Sequence, residues 1–395
     1  MIKRGDRKNW AREQFQGFEN ILMPSFSANY RELNEEGIRL DVRQSIAHGF
    51  FATLCAMESG MTPTEQRRLL EIACDEAGDD IHIGMSLAGE SLEQDVAQLQ
   101  FAESVGVSHA QITWPQNFRP SSHDEVVEFA SALSQASHLG LVLLASENFA
   151  MRHLHPSGLP FEAFERLADL DNVIALQLGS MDAGLILECC ERFCDRLLVT
   201  SMNFGMLPML VQNFDLQWSG AWCVEALQSP EKPYANQFLD ALRKGEMDTA
   251  MGIYWNLFPA LAAMGRTLAA NKRFLEIVCD EAADKIQVSF TLLFDSFEDT
   301  LEMLEHAEKV GASHALLAYP QDFRPTCTGR HRRHDTPHIR GNQSGPGHVR
   351  HRQVRFRALS PQPCTFRRLR SDCRSAEHRV HQGGFRRPGH DLRVF

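Results

Sequence analysis

No lysine lies between Lys8 and Lys232. A covalent imine with a carbonyl substrate needs a primary amine, so over that stretch this chemistry has no nucleophile. The polar residue inside the apolar run Val173–Leu178 is Gln177. Its nitrogen lone pair is delocalised into the carbonyl and cannot attack. Other groups invite other chemistry. Glu58 and Ser59 follow an apolar run at Phe50–Leu54, where Glu58 either faces a site or caps the next helix. Arg119, in Trp114-Pro115-Gln116-Asn117-Phe118-Arg119-Pro120-Ser121, carries a planar fork that matches a carboxylate, unless it faces solvent. His153 and His155 alternate in a loop with no acidic or cysteine partner at ligand spacing, so no metal site is expected. Ser146 has no evident base and reads as structural. No Gly-x-Gly-x-x-Gly or Walker-type loop occurs, so no nucleotide cofactor is implied, and no other cofactor is expected.

These residues need a scaffold. Short apolar runs alternate with amphipathic stretches, the pattern of a parallel sheet with crossover helices. Candidate strands are Ile21–Pro24, Phe50–Leu54, Ile81–Ser86, Ala110–Thr113, Leu141–Leu144, Val173–Leu178, Leu197–Thr200 and Ser219–Cys223. Eight strand–helix pairs favour a closed (β/α)8 TIM barrel over an open sheet. Thr64–Ala77 reads as a helix capped by Thr64, with Leu69, Leu70, Ile72 and Ala73 as its apolar stripe. Pro230–Ala270 reads as one or two helices covering the barrel end, and Met202–Met209 as packing at its top. The barrel is placed at residues 15–270, after an N-terminal extension of residues 1–14.

The stretch Gly49–Gly184 resembles the dihydrodipicolinate synthase / N-acetylneuraminate lyase family. The resemblance extends over roughly Phe18–Met264 and is strongest at Thr53–Ser121 and Phe161–Asp182. It implies a barrel in which a sixth-strand lysine forms a Schiff base with a keto acid. In Asn172-Val173-Ile174-Ala175-Leu176-Gln177-Leu178-Gly179 the lysine's place is taken by Gln177. The family's Gly-Thr-Thr-Gly-Glu-Ser segment matches Cys55-Ala56-Met57-Glu58-Ser59, which lacks both threonines. Its Pro-Pro-Tyr-Tyr-Asn-Lys-Pro-Thr loop matches Trp114–Ser121 without the tyrosines. Leu144 stands where the family has its proton-passing tyrosine, and Arg152 where it has a carboxylate-binding arginine. The implied ligand set is Glu58, Ser59, Asn117, Arg119 and Arg152, with Gln177 and Leu144 as substituted and inactive catalytic positions.

Gln66–Ser121 returns without a gap as Asn271–Thr326, an offset of 271 − 66 = 205 residues. Cys74-Asp75-Glu76-Ala77 recurs as Cys279-Asp280-Glu281-Ala282, and Val105-Gly106-Val107-Ser108-His109-Ala110 as Val310-Gly311-Ala312-Ser313-His314-Ala315. Pro115-Gln116-Asn117-Phe118-Arg119-Pro120 recurs as Pro320-Gln321-Asp322-Phe323-Arg324-Pro325. Solenoid repeats recur at about 20–50 residues, so this spacing points instead to a partial second barrel copy at 271–326. Such a fragment leaves strand edges to be paired elsewhere.

From Cys327 onward there are 16 arginines, no lysine and 4 acidic residues, a charge of +12, which leaves the first 326 residues at −23. An acidic body of that size repels nucleic acid. Two readings of the tail stand. One is a disordered basic segment that binds nucleic acid or acidic partners. The other is an out-of-frame remnant of the second copy. Shifting the codons of Ala376–His390 by one base permits Pro-Asn-Ile-Val-Ser-Ile-Lys-Val-Gly-Phe-Asp-Ala-Pro-Gly, which echoes Asn172–Gly184 with a lysine at the position of Gln177.

The ten scattered cysteines and the absence of a leader or a long apolar run imply a reducing cytoplasm. The expected function is a divergent, lyase-related pseudoenzyme that binds a small anionic keto acid. The resemblance implies a homo-oligomer, or pairing with an intact relative. A non-imine lyase and a basic-tail interaction protein are the alternatives.

Overall fold

The computed structural model describes residues 2–27, 31–59, 61–87, 89–115, 118–146, 149, 151–220, 224–263, 268–282, 288–292, 297–312, 314–317 and 352–355. Asn117 and nearly all of the arginine-rich tail lie outside them. Two compact units divide the chain, Met1–Leu257 and Phe258–Phe395.

The first unit begins with α1 (Arg7–Gln14) and then builds eight parallel strands. These are β1 (Gly17–Leu22), β2 (Ala52–Cys55), β3 (His82–Ser86), β4 (His109–Ile112), β5 (Gly140–Ala145), β6 (Val173–Leu178), β7 (Leu198–Ser201) and β8 (Trp218–Ser219). The connecting helices are α2 (Glu35–Ala47), α3 (Pro63–Ala77), α4 (Leu92–Val105), α5 (His123–Ala136), α6 (Phe161–Leu167), α7 (Ala183–Phe193) and α8 (Leu207–Phe214). After β8 come α9 (Tyr234–Arg243) and α10 (Met247–Ala263). The sheet runs β7-β6-β5-β4-β3-β2-β1-β8, the expected TIM barrel. Side chains stitch the remaining seam. Thr200 Oγ1 donates to the Trp218 carbonyl at 2.7 Å, and Ser219 Oγ to the Ser201 carbonyl at 3.0 Å.

Several limits differ from the sequence expectation. The first strand starts at Gly17, well before Ile21, because Glu19 and Asn20 are buried with polar partners: His109 and Ser45. The helix expected to be capped by Thr64 is capped by Thr62. Pro63 occupies the first helical position, and the Thr62 amide donates to Glu65 Oε2 at 2.8 Å. Pro230–Ala270 contains α9, α10 and the first residues of the next helix, α11 (Leu268–Ala282).

The segment before β1 belongs to the barrel floor. Ala11 and Phe15 are fully buried against Val142, Ile174, Ala175 and Trp218. The Phe15 ring lies 5.2 Å from Trp218 and 4.9 Å from His109, centroid to centroid. Arg7 ties this helix to the sheet ends, donating from Nε to the His138 carbonyl at 2.5 Å.

The second unit contains α11, β9 (Ser289–Leu292), α12 (Phe297–Val310), β10 (His314–Leu317) and β11 (Arg352–Arg355), with β10 parallel to β9 and antiparallel to β11. The two helices of this unit keep the spacing of the sequence repeat. Adding 205 to 63–77 gives 268–282, the span of α11, and adding it to 92–105 gives 297–310, the span of α12. Gly84 pairs with His109 in the barrel, and Ser289 with His314 in the second unit. Leu275, Ala282, Leu304 and Ala307 form a core at the positions of the buried Leu70, Ala77, Leu99 and Ala102.

Candidate functional site

Alternation along the strands sets what enters the barrel. Residues paired across parallel strands face the same way, so the ladder that links Glu19 to Ala52, Leu54 to Gly84, Gly84 to His109, Gln111 to Val142, and Leu144 to Gln177 follows one face. That face is the interior, because Glu19 and His109, three strands apart, meet over Gly84. His109 Nε2 lies 2.7 Å from Glu19 Oε1, and both side chains are buried. A Cβ on Gly84 would stand 2.4 Å from His109 Nε2, so the crossing requires glycine there.

Above that level, toward the strand C-termini where barrel active sites lie, Gln177 is 5% exposed. Its Oε1 accepts from Gln111 Nε2 at 2.5 Å, and its Nε2 donates to the Gly220 carbonyl at 3.3 Å. A Cβ on Gly220 would stand 2.7 Å from Gln177 Nε2. The amide is therefore held at both ends, and it is neutral and non-nucleophilic. Leu144, its register partner on β5, is half-buried and brings no ionisable group.

Glu58 accepts the hydroxyl of Ser86 from the end of β3, and Ser86 Oγ in turn accepts from the Met57 amide at 3.0 Å. The carboxylate thus turns to the strand end, while Thr62 caps α3, so the helix-capping alternative for Glu58 falls. Ser59 donates to the Ala56 carbonyl at 2.9 Å and fixes the turn after β2. Arg119 donates from Nη1 to the Phe118 carbonyl at 3.0 Å and lines a cavity of about 250 Å³ with Glu90, Phe118, Glu125 and Phe129, at the start of α4 and α5. Arg152 is exposed in the loop after β5. His153 lies 2.5 Å from the Pro120 carbonyl, and His155 Nδ1 lies 2.8 Å from Ser157 Oγ, so each is spent on loop structure. Ser146 is buried directly after β5.

Sequence reasoning missed Gln111, Ser86, Gly220 and Glu225. The alternation His109, Gln111, Thr113 marks an inward polar row on β4, and that signal was present. Glu225 had none. It reaches back from the loop after β8 to accept the Ile21 amide at 2.8 Å. The surrounding protein pushes its carboxyl above the ordinary value, against the lowering effect of the Ile21 amide, although the side chain surfaces at the rim.

Fold and site together define a (β/α)8 barrel with a polar, amide-centred interior. No family model matches the chain. The chain is nonetheless related in sequence to the N-acetylneuraminate lyases and 4-hydroxy-tetrahydrodipicolinate synthases. It is 22% identical over 242 residues to the N-acetylneuraminate lyase of Clostridium perfringens (strain SM101 / Type A), covering 60% of this chain and 80% of that one. It is 22% identical over 241 residues to the 4-hydroxy-tetrahydrodipicolinate synthase of Methanothermobacter thermautotrophicus, covering 59% and 81%. Among solved structures, N-acetylneuraminate lyase from Fusobacterium nucleatum superposes with a TM-score of 0.56 at 16% identity, over 75% of this chain and 99% of that one. Dihydrodipicolinate synthase from Aquifex aeolicus gives 0.57 at 16% identity, over 75% and 98%. These structural likenesses carry the fold. No helix among the described residues is long and apolar enough to cross a membrane, and no group of three or more histidine, cysteine or acidic side chains among them is placed to hold a metal.

Proposed function

We propose that this barrel is a lyase relative that has given up imine chemistry and serves as a ligand-binding or regulatory subunit in the cytoplasm. The observation that carries the reading is Gln177. It occupies the sixth-strand position of the lysine that the resemblance implies, and both ends of its amide are engaged, by Gln111 and by the Gly220 carbonyl. Leu144 beside it cannot pass a proton. The ligand is a small anionic keto acid, whose counter-charge comes from Arg119 and Arg152, in the loops after β4 and β5. The partner is a second copy of the chain or an intact, lysine-bearing relative.

The test is to incubate the purified chain with pyruvate and borohydride and to record its intact mass. No adduct is expected at concentrations where binding is seen by calorimetry. A stable pyruvyl adduct mapping to the barrel sinks the proposal. Arg152→Ala is expected to weaken pyruvate binding by about tenfold, the loss of roughly one charge-assisted hydrogen bond of ~1.4 kcal/mol.

A further inference from the structure

In the barrel, α3 packs against α2 on one side and α4 on the other. Ion pairs mark the α2 side. Arg68 bridges Glu35 at 2.9 Å, Arg39 bridges Asp75 at 2.6 Å and Glu76 at 2.9 Å, and Arg43 bridges Glu76 at 2.9 Å. Arg68, Ile72, Asp75 and Glu76 are spaced i, i+4, i+7 and i+8, which places them on one stripe of the helix. Within that stripe Ile72 is 1% exposed. On α2, Ile38 and Val42 are fully buried, each one residue before an arginine of the bridges.

Adding 205 carries this stripe onto Arg273, Ile277, Asp280 and Glu281 of α11, residue for residue. The side equivalent to α4 is filled: α12 packs there, and Lys272 bridges Glu302 at 2.5 Å. The other side differs from its barrel counterpart. Ile277 is 45% exposed, and Phe274, in place of the fully buried Leu69, is only half-buried. Asp280 and Glu281 are exposed, and among the described residues no basic side chain bridges either of them. Arg273 retains the contact within its own helix, to Glu276 at 2.9 Å, that Arg68 makes to Glu71. Adding 205 to 35–47, the span of α2, gives 240–252, where the chain instead ends α9 and begins α10.

We propose that this side of α11 is a docking face for an amphipathic helix of another protein, patterned like α2. Its motif is Ile-Arg-x-x-Val-Arg with an acidic residue three positions upstream, as in Glu35–Arg43. The two apolar residues cover Ile277 and Phe274, the arginines meet Asp280 and Glu281, and the acid meets Arg273. Arg273 lies nearer the start of α11 and the acids nearer its end, so the bound helix runs parallel to α11, as α2 does to α3. Burial of Ile277 supplies most of the affinity, and the solvent-exposed ion pairs fix direction and register. A second copy of this chain is a poor donor, because its α2 is already engaged by its own α3. The inference does not rest on the reading of Gln177.

The probe is a fluorescein-labelled synthetic peptide of residues 34–48, titrated with the full chain and followed by anisotropy. Saturable binding of one peptide per chain is expected, weakened about tenfold or more by Ile277→Asp in the chain. A peptide carrying Arg39→Glu and Arg43→Glu should bind the unaltered chain less well. It should bind better to a chain carrying Asp280→Arg and Glu281→Arg, a reversal that loss of folding cannot produce. Binding that is absent, unmoved by Ile277→Asp, or not restored by the charge exchange overturns the proposal. So does self-association in sedimentation velocity that Ile277→Asp abolishes, because a second copy then covers the face.

Discussion

Removing His109 tests how the barrel interior is held. The ring is fully buried, with Nδ1 2.8 Å from Ser108 Oγ and Nε2 2.7 Å from Glu19 Oε1. Ser108 already donates its hydroxyl proton to the Ile83 carbonyl at 3.0 Å, so toward the ring it must accept, and Nδ1 carries a proton. A second proton then lies on the Nε2–Glu19 contact, whichever partner owns it. His109→Ala strands the Glu19 carboxyl, 4% exposed, beside Gly84 and a new void. Losing one partner of a buried ionic pair costs about 3–5 kcal/mol. Glu19→Gln keeps a donor for Nε2 of a neutral ring and should cost only about 1 kcal/mol. Replacing both, as Glu19→Met with His109→Leu, should recover most of the loss, because no charge is left to desolvate. All five tryptophans lie in the first unit, so urea unfolding followed by tryptophan fluorescence reports on the barrel alone. With a slope of about 3 kcal/mol per molar, the midpoint for His109→Ala should fall by about 1 M or more. A loss below about 1 kcal/mol, or a double replacement no better than the single one, would refute the reasoning.

Two further outcomes follow from buried polar groups. Burial pushes Asp95 on α4 up to about 6, with the Gly89 amide opposing, against about 3.9 in an unfolded chain. The native state therefore holds that proton more tightly. Its contribution is complete below about pH 4 and is lost as pH rises through 6, up to about 3 kcal/mol. Asp95→Asn should flatten that part of the stability–pH curve in parallel denaturations at pH 4.5 and 7. Asn172, fully buried before β6, accepts from Ser134 Oγ at 2.5 Å and donates to the carbonyls of Ser134, Ser137 and Leu139 at 3.0–3.3 Å. Asn172→Leu should cost at least about 3 kcal/mol in the same fluorescence assay, since several buried groups lose their partner together.

The barrel was legible because its strands are apolar, short and evenly spaced, and Val173–Leu178 falls where periodicity places it. Limits slipped where polar residues are buried. Glu19 and Asn20 hide the start of β1, since their partners come from β4 and α2, far along the chain. The cap falls at Thr62 and not at Thr64, because Pro63 and Glu65 complete a capping box there. The candidate site was legible at Gln177 by position. Its engagement by Gln111 and Gly220 was not, because contacts across a barrel leave no mark in local spacing. Glu225 was hidden for the same reason: it accepts the Ile21 amide from more than two hundred residues along the chain.

The bracketed amide at position 177 also bears on reversibility. Glutamine and lysine codons differ by a single base, and a lysine side chain of similar reach would meet two ready acceptors, the Gly220 carbonyl and the Gln111 side-chain oxygen after a flip. The amine is thus within one mutational step and needs little repacking. The phenol is further away, because no single base change turns a leucine codon into a tyrosine codon. On the reading proposed above, a lineage moving toward imine chemistry would gain its nucleophile before its proton carrier, and would pass through a form able to bind a keto acid covalently without turning it over.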